Sequence, residues 1–211
     1  MFLMNELDQL GESVKIGARR TALNATVVCG SLGKPSRTRV LLDALVARIS
    51  QEIPIRVQYV ELVDIAASLG SSLDKASLSS HARAGVRAIE ESEFLIVGAP
   101  VFRASIPGLL KHLFDVIDVT ALEGKPVLLA ATGGSLRHSL VIEHHLRPLF
   151  AFFQSLTLPA GVYAGPGEIQ DGSLVDAALV QRVELAVSLA MPYLRMESLK
   201  KGRSEDIGGN I

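Results

Sequence analysis

Three short segments carry residue types suited to holding a ligand. The first, Gly30-Ser31-Leu32-Gly33-Lys34-Pro35-Ser36-Arg37-Thr38, mixes hydroxyls, cations and glycine just ahead of a helical pattern. A turn that enters a helix presents unpaired backbone N–H groups and the positive end of the helix dipole, which together favour an anion. Ser31, Ser36 and Thr38 add hydroxyl donors, and Arg37, with Arg39 beyond it, adds charge. The glycine spacing fits neither G-x-x-x-x-G-K-[ST] nor G-x-G-x-x-G. An ordinary turn with a serine cap accounts for these residues about as well as a phosphate site does. The second segment, 99–108, offers Pro100, Val101 and Phe102 as a flat surface for a planar ring. Pro107 suits the first turn of a helix, but no structural need explains a cation at Arg103. The third, Thr132-Gly133-Gly134-Ser135, pairs two glycines that let backbone approach a ligand closely. Plain strand-to-helix turns share that feature.

These segments can act together only if the fold brings them to one place. Residues 26–29 form a β-branched run, and Ser36 is a natural N-cap for a helix carrying Leu41, Leu45 and Ile49 at four-residue spacing. Residues 55–62 read as a second strand, 64–80 as a long Ser/Ala-rich loop and 79–92 as a helix. Residues 94–101 and 125–131 are strands apolar on nearly every residue, the pattern of a parallel sheet covered on both faces. Between them, Ile106, Leu109, Leu110, Leu113, Phe114 and Ile117 trace an amphipathic helix. A helix over 137–154 is expected to break at Pro148. A fifth strand over 156–164 holds Pro159 and Gly161, which suit an edge. Asp171-Gly172-Ser173 opens a last helix that runs to about residue 195. Alternating strands and helices predict a three-layer α/β/α domain with a five-stranded parallel sheet in the flavodoxin-like order 2-1-3-4-5. Ligands then bind beyond the carboxyl ends of the strands, where strands 1 and 3 diverge, and all three segments leave strands at that end. Residues 1–24 are expected to form a mobile extension, 25–195 the domain and 196–211 a loose tail.

Composition narrows the chemistry. Lys and Arg number 21 against 22 Asp and Glu, so no basic excess is available for nucleic acid. Aromatic residues are 5% with no Trp, which disfavours stacking platforms for bases or sugars. The single Cys29 excludes a disulfide framework and fits a reducing compartment. No apolar run reaches about 18 residues and the first 20 residues lack a signal-peptide pattern, so the expectation is a cytoplasmic protein without a membrane partner. His138, His144 and His145 read as surface or interface residues, and no metal is expected. No nucleophile or acid–base pair is evident, as when a bound cofactor carries the chemistry. A phosphate site beside a flat-ring site suits a mononucleotide flavin. Four of the seven Phe, namely Phe114, Phe150, Phe152 and Phe153, fall in the helices after strands 3 and 4, which suggests an oligomer interface.

Taken jointly, Gly30-Ser31…Pro35-Ser36-Arg37-Thr38, the run 99–111 and Leu122-Glu123-Gly124-Lys125-Pro126-Val127…Ala131-Thr132-Gly133-Gly134 resemble the NAD(P)H-dependent FMN reductases. The stretch 137–150 and Gly161-Val162-Tyr163-Ala164 are most similar to the reductases of two-component alkanesulfonate or methanesulfonate monooxygenases. The resemblance, over about residues 24–195, implies hydride transfer from NADPH or NADH to FMN, with FMNH2 passed to a partner monooxygenase. It implies Ser31, Ser36, Arg37 and Thr38 at the FMN phosphate. It places Pro100, Val101, Phe102 and Arg103 at the ring and ribityl chain, and Thr132, Gly133 and Gly134 at the ring's polar edge. The family commonly has Tyr where Phe102 stands, so a contact through that hydroxyl is lost. Arg103 is expected to meet nicotinamide phosphates or the reduced flavin's charge. His144 stands where the sulfonate subgroup carries a π-bulge, which implies a modulator of flavin release and of a homodimer or homotetramer. The rival readings are an FMN-bound quinone, azo or chromate reductase, and a flavodoxin-like electron carrier or flavin-binding regulator.

Overall fold

The computed structural model describes residues 21–208, with side chains through residue 202; residues 1–20 of the expected extension lie outside the described residues. Strand β1 (Leu23–Cys29) leads through the first segment into α1 (Arg37–Ser50), followed by β2 (Ile55–Glu61), α2 (Leu62–Gly70), α3 (Ser80–Glu91) and β3 (Phe94–Pro100). Then come α4 (Gly108–Asp115), β4 (Pro126–Thr132), a 3-10 turn (Leu136–His138), a π turn (Ile142–Leu146), α5 (Arg147–Phe152), β5 (Leu156–Thr157) and β6 (Val162–Ala164). A hairpin of β7 (Ile169–Gln170) and β8 (Ser173–Leu174) precedes the long α6 (Ala177–Gly208).

The main sheet is parallel and runs β2-β1-β3-β4, with β5 and β6 both paired to the outer edge of β4. This is the predicted flavodoxin-like order, with the fifth position divided between two short strands. Leu158 N–H still reaches the Val127 carbonyl at 2.9 Å. Pro159 has no N–H to offer, and pairing resumes only at Val162.

Side-chain alternation along β3 and β4 builds two cores. Leu95, Val97, Val127 and Leu129 face α2, α3, α4 and α5, while Phe94, Ile96, Leu128 and Ala130 face α1 and α6. All of β4 and all but the last residue of β3 are buried, as the unbroken apolar runs require. Edge strand β2 instead alternates between half-buried and exposed positions from Ile55 to Tyr59, and only Val60 is fully buried. Gly98 admits α1 against the sheet, since a Cβ there would stand 2.8 Å from a Leu42 methyl.

Several local expectations give way. Residues 62–70 are helical, not loop, because Leu62, Ile65 and Leu69 form a buried face that continues straight from β2. Asp171 and Gly172, expected to open the last helix, are the two left-handed residues (φ 47° and 74°) of the tight β7–β8 turn. The helix is capped instead by Asp176, whose carboxylate accepts from Leu179 N–H at 2.8 Å. That helix continues past residue 195 through Gly208, and buried Ser198 donates to the Thr21 carbonyl at 2.8 Å, so the first part of the expected tail is docked. The span Ala177–Gly202 is long and apolar enough to cross a bilayer by length and composition. Here Leu179, Val183, Val187 and Leu194 are buried against the sheet. Phe114, Phe150 and Phe153 are core residues in edge-to-face contact, with ring centroids 4.9 and 6.3 Å apart, and not interface residues; only Phe152 of the four is exposed.

Candidate functional site

At the carboxyl end of the sheet the three segments converge on an open cleft of about 260 Å³. Nine of the residues expected there line it: Ser31, Ser36, Arg37, Thr38, Pro100, Val101, Thr132, Gly133 and Gly134. Pro35 joins them. Phe102 and Arg103 do not; they project at the tip of the segment after β3.

The cleft is built from α1 outward. Ser36 caps the helix, its Oγ accepting from Arg39 N–H at 3.2 Å and lying 3.9 Å from the Cys29 sulfur. Helix geometry leaves the Arg37 and Thr38 N–H groups without intrahelical acceptors. Arg37 reaches across to donate to the Gly165 carbonyl beyond β6. Buried Thr38 and Thr132 join their hydroxyls at 2.7 Å, tying α1 to the end of β4. Arg39, by contrast, is drawn away from the segment it was expected to charge. Its guanidinium binds Asp43 and Glu61 and stacks 3.7 Å from the Tyr59 ring centroid. Lys34 is likewise held by Asp64 at 2.9 Å. The lining contains no carboxylate.

Backbone at the cleft floor is largely committed. Gly30 N–H binds the Gly98 carbonyl (2.7 Å), Val101 N–H the Thr132 carbonyl (2.7 Å) and Gly133 N–H the Ala164 carbonyl (3.0 Å). Exposed Gly134 is therefore the glycine whose N–H is open. Gly133 is required sterically: a Cβ there would sit 2.2 Å from the Tyr163 hydroxyl, which is itself fixed by donating to the Ser135 carbonyl at 2.6 Å. Burial pushes the Tyr163 phenol and the Cys29 thiol upward, so both are neutral near pH 7. Tyr163 and the turn at Gly165 went unforeseen as supports of the cleft, although Gly165-Pro166-Gly167 is a readable turn signal.

The tip after β3 is strained. Phe102 and Ser105 exchange backbone hydrogen bonds of 2.8 and 3.0 Å, closing a two-residue turn on Arg103 (φ 49°) and Ala104 (φ 66°). Such turns favour Asn-Gly or Gly-Gly, and left-handed Arg and Ala each cost of order 1 kcal/mol. The π turn at Ile142–Leu146 carries His144, as the resemblance implies, with Arg147 N–H bonding back five residues to the Ile142 carbonyl. His144 lies outside the cleft. It borders a larger groove of about 700 Å³ lined by Ile106, Phe114, Leu149 and Phe152. That groove is mostly apolar and holds the Asp115 carboxylate beside Lys111, whereas the smaller cleft has no carboxylate in its lining and suits an anion better. Among the described residues, no group of three His, Cys, Asp or Glu is placed to hold a metal ion.

Residues 23–169 match the family model for NADPH-dependent FMN reductase. The chain is 50% identical over 170 residues to the NADH-dependent FMN reductase SfnF of Pseudomonas fluorescens, covering 81% of this chain and 91% of that one. It is 49% identical over 175 residues to an FMN reductase (NADPH) of Pseudomonas aeruginosa, covering 82% and 94%. Among solved structures, an oxidoreductase of Corynebacterium diphtheriae superposes with a TM-score of 0.72 at 28% identity, over 85% of this chain and 98% of that one. The fold is shared with an NADH:FMN oxidoreductase, EmoB, in its apo form (TM-score 0.71, 24% identity, 83% and 89% covered). The chain belongs to the NADPH-dependent FMN reductase family.

Proposed function

We propose that this protein transfers a hydride from NADPH or NADH to FMN and releases FMNH2 to a separate flavin-dependent monooxygenase acting on sulfonates. The observation that carries the reading is the carboxylate-free cleft: hydroxyls, a guanidinium and helix N-terminal amides, with nothing anionic in the lining to repel a phosphate. In this reading Ser31, Ser36, Arg37 and the N–H groups of Arg37 and Thr38 hold the FMN phosphate. Pro100 and Val101, with Phe102 at the rim, seat the ring, while Thr132, Gly133 and Gly134 form the wall at its polar edge, with Gly134 N–H as the donor. The flavin, when bound, supplies the two-electron acceptor. The protein's part is to position it and to place cations near the charge that develops on reduction, a role for Arg103.

Release of the product is supported by the openness of the cleft, where Pro35, Arg37 and Gly134 are exposed. The sulfonate partner rests on the resemblance of residues 137–150 and 161–164 to the sulfonate-system reductases, and the relatives SfnF and SfnE support the FMN reductase step itself. The work is proposed to occur in the cytoplasm in a homodimer or homotetramer, with exposed Phe152 and Val119 beside the apolar groove as its contact surface. His144, bordering that groove, is proposed to link flavin release to assembly. The test is gel filtration of the protein mixed with FMN, paired with initial-rate kinetics. Flavin eluting apart from the protein and intersecting double-reciprocal lines are expected. Stoichiometric co-elution with parallel lines and a quinone as final acceptor would replace this reading with a prosthetic-flavin reductase.

A further inference from the structure

We infer that a second, cationic pocket beside the cleft binds the phosphate groups of the nicotinamide nucleotide, an inference that rests on the reductase reading above. The pocket, about 280 Å³, is lined by Ala104, Arg137, His138, His144 and His145 with an apolar floor of Leu140 and Val141. It shares no lining residue with the cleft, yet it is reached along the same two segments, from Val101 to Ala104 and from Gly134 to Arg137. Ser105 Oγ and His145 Nδ1, 3.1 Å apart, tie those segments together.

Three of the chain's five histidines and an arginine meet here without a carboxylate in the lining. Glu143, on the same π turn, is already taken by Arg147 through bonds of 2.5 and 2.9 Å. The Arg137 guanidinium makes no hydrogen bond or ion pair among the described residues, in contrast to Arg39, Arg48, Arg147 and Arg182, which are all paired. Arg103 likewise has no ion pair among the described residues, and its left-handed turn holds it at the pocket's edge next to Ala104. A planar guanidinium binds a phosphate through two parallel N–H bonds, and each imidazole adds at least one N–H even when neutral. The cleft already provides for one phosphate at Ser36 and Arg37. A dinucleotide reductant must bring more, and this is the neighbouring site with free donors.

The phosphate has two possible sources on that ligand: the 2′-phosphate present only in NADPH, and the diphosphate bridge common to both nucleotides. Calorimetry with adenosine 2′,5′-bisphosphate and with ADP separates them, using the wild type, Arg137→Ala and Arg137→Lys. Arg137→Ala is expected to weaken probe binding at least tenfold and Arg137→Lys to recover part of it. FMN affinity, read by flavin fluorescence, is expected to stay within twofold. A loss confined to the 2′,5′-bisphosphate assigns the 2′-phosphate, and a loss for both probes assigns the diphosphate. The inference is overturned if the wild type binds neither probe, if neither affinity moves by more than twofold in Arg137→Ala, or if FMN affinity falls in step. FMN-dependent oxidation of NADPH or NADH by the wild type is measured alongside. Its absence defeats the reductase reading itself, whereas its presence with unmoved probe affinities defeats the pocket alone.

Discussion

At the amino-terminal edge of the sheet, Lys125 donates to the Ile89 and Glu90 carbonyls at 3.1 and 2.8 Å, closing the end of α3. Glu93 accepts from Asn24 N–H and from Lys201, each at 2.7 Å, and Ser198 and Thr21 bond each other's backbone. At the carboxyl-terminal edge the same strands lead into donors with no acceptor among the described residues: the Arg37 and Thr38 amides, Gly134 N–H and the Arg103 and Arg137 guanidiniums. One edge spends its polar groups on the fold and the other keeps them for a ligand. The strained Arg103–Ala104 turn sits at the second edge, in keeping with strain collecting where geometry serves function.

The comparison is sharpest at the one place where the ligand edge is itself cross-braced. Thr38→Val removes half of the buried Thr38–Thr132 pair and strands the other hydroxyl, which is expected to cost about 1–3 kcal/mol in urea unfolding. Thr38→Ser should cost much less. Gly133→Ala is expected to displace Tyr163 from Ser135 and to weaken FMN binding at least tenfold, about 1.4 kcal/mol, by flavin fluorescence. An unchanged affinity would show that this wall of the cleft does not meet the flavin.

The opposite edge should answer to pH instead. Burial lowers the Lys125 amine to about 8 in the folded chain, against roughly 10.4 when unfolded. Between those values the unfolded chain holds the extra proton, so stability contributed through Lys125 rises as pH climbs from about 8 to about 10. Lys125→Met is expected to lose that rise relative to the wild type, with FMN-dependent rates retained. The smallest effect is at the strained tip. Ala104→Gly relieves a left-handed Cβ but frees the unfolded chain, for a net gain of about 0.5 kcal/mol in thermal unfolding. A loss of stability there would mean the turn is not strained.

Much of the fold was legible because burial on both faces leaves a mark on composition: the apolar runs at β3 and β4, and the Ser36 cap followed by Leu41, Leu45 and Ile49. Helix α2 was not, because no glycine or proline separates it from β2 and its Ser/Ala content resembles loop. The β7–β8 hairpin stands where the start of a helix was expected, although Asp171-Gly172 is a strong two-residue turn signal; its strands are only two residues each, too short for alternation to register. In the site, the hydroxyls and glycines declared themselves by type and position. What stayed hidden was pairing over distance: Thr38 with Thr132 across 94 residues, and Arg37 with Gly165 across 128. The capture of Arg39 by Asp43, four residues on, was within reach of helix periodicity.

The central claim is that the carboxylate-free cleft selects a flavin by its phosphate. Its most direct test is steady-state oxidation of NADPH and NADH with FMN or riboflavin as acceptor, in the wild type and in Arg37→Ala. A KM for FMN at least tenfold below that for riboflavin, with the gap narrowed in Arg37→Ala, is the predicted result. Equal use of FMN and riboflavin by the wild type, or no flavin-dependent oxidation with either nucleotide, would contradict it.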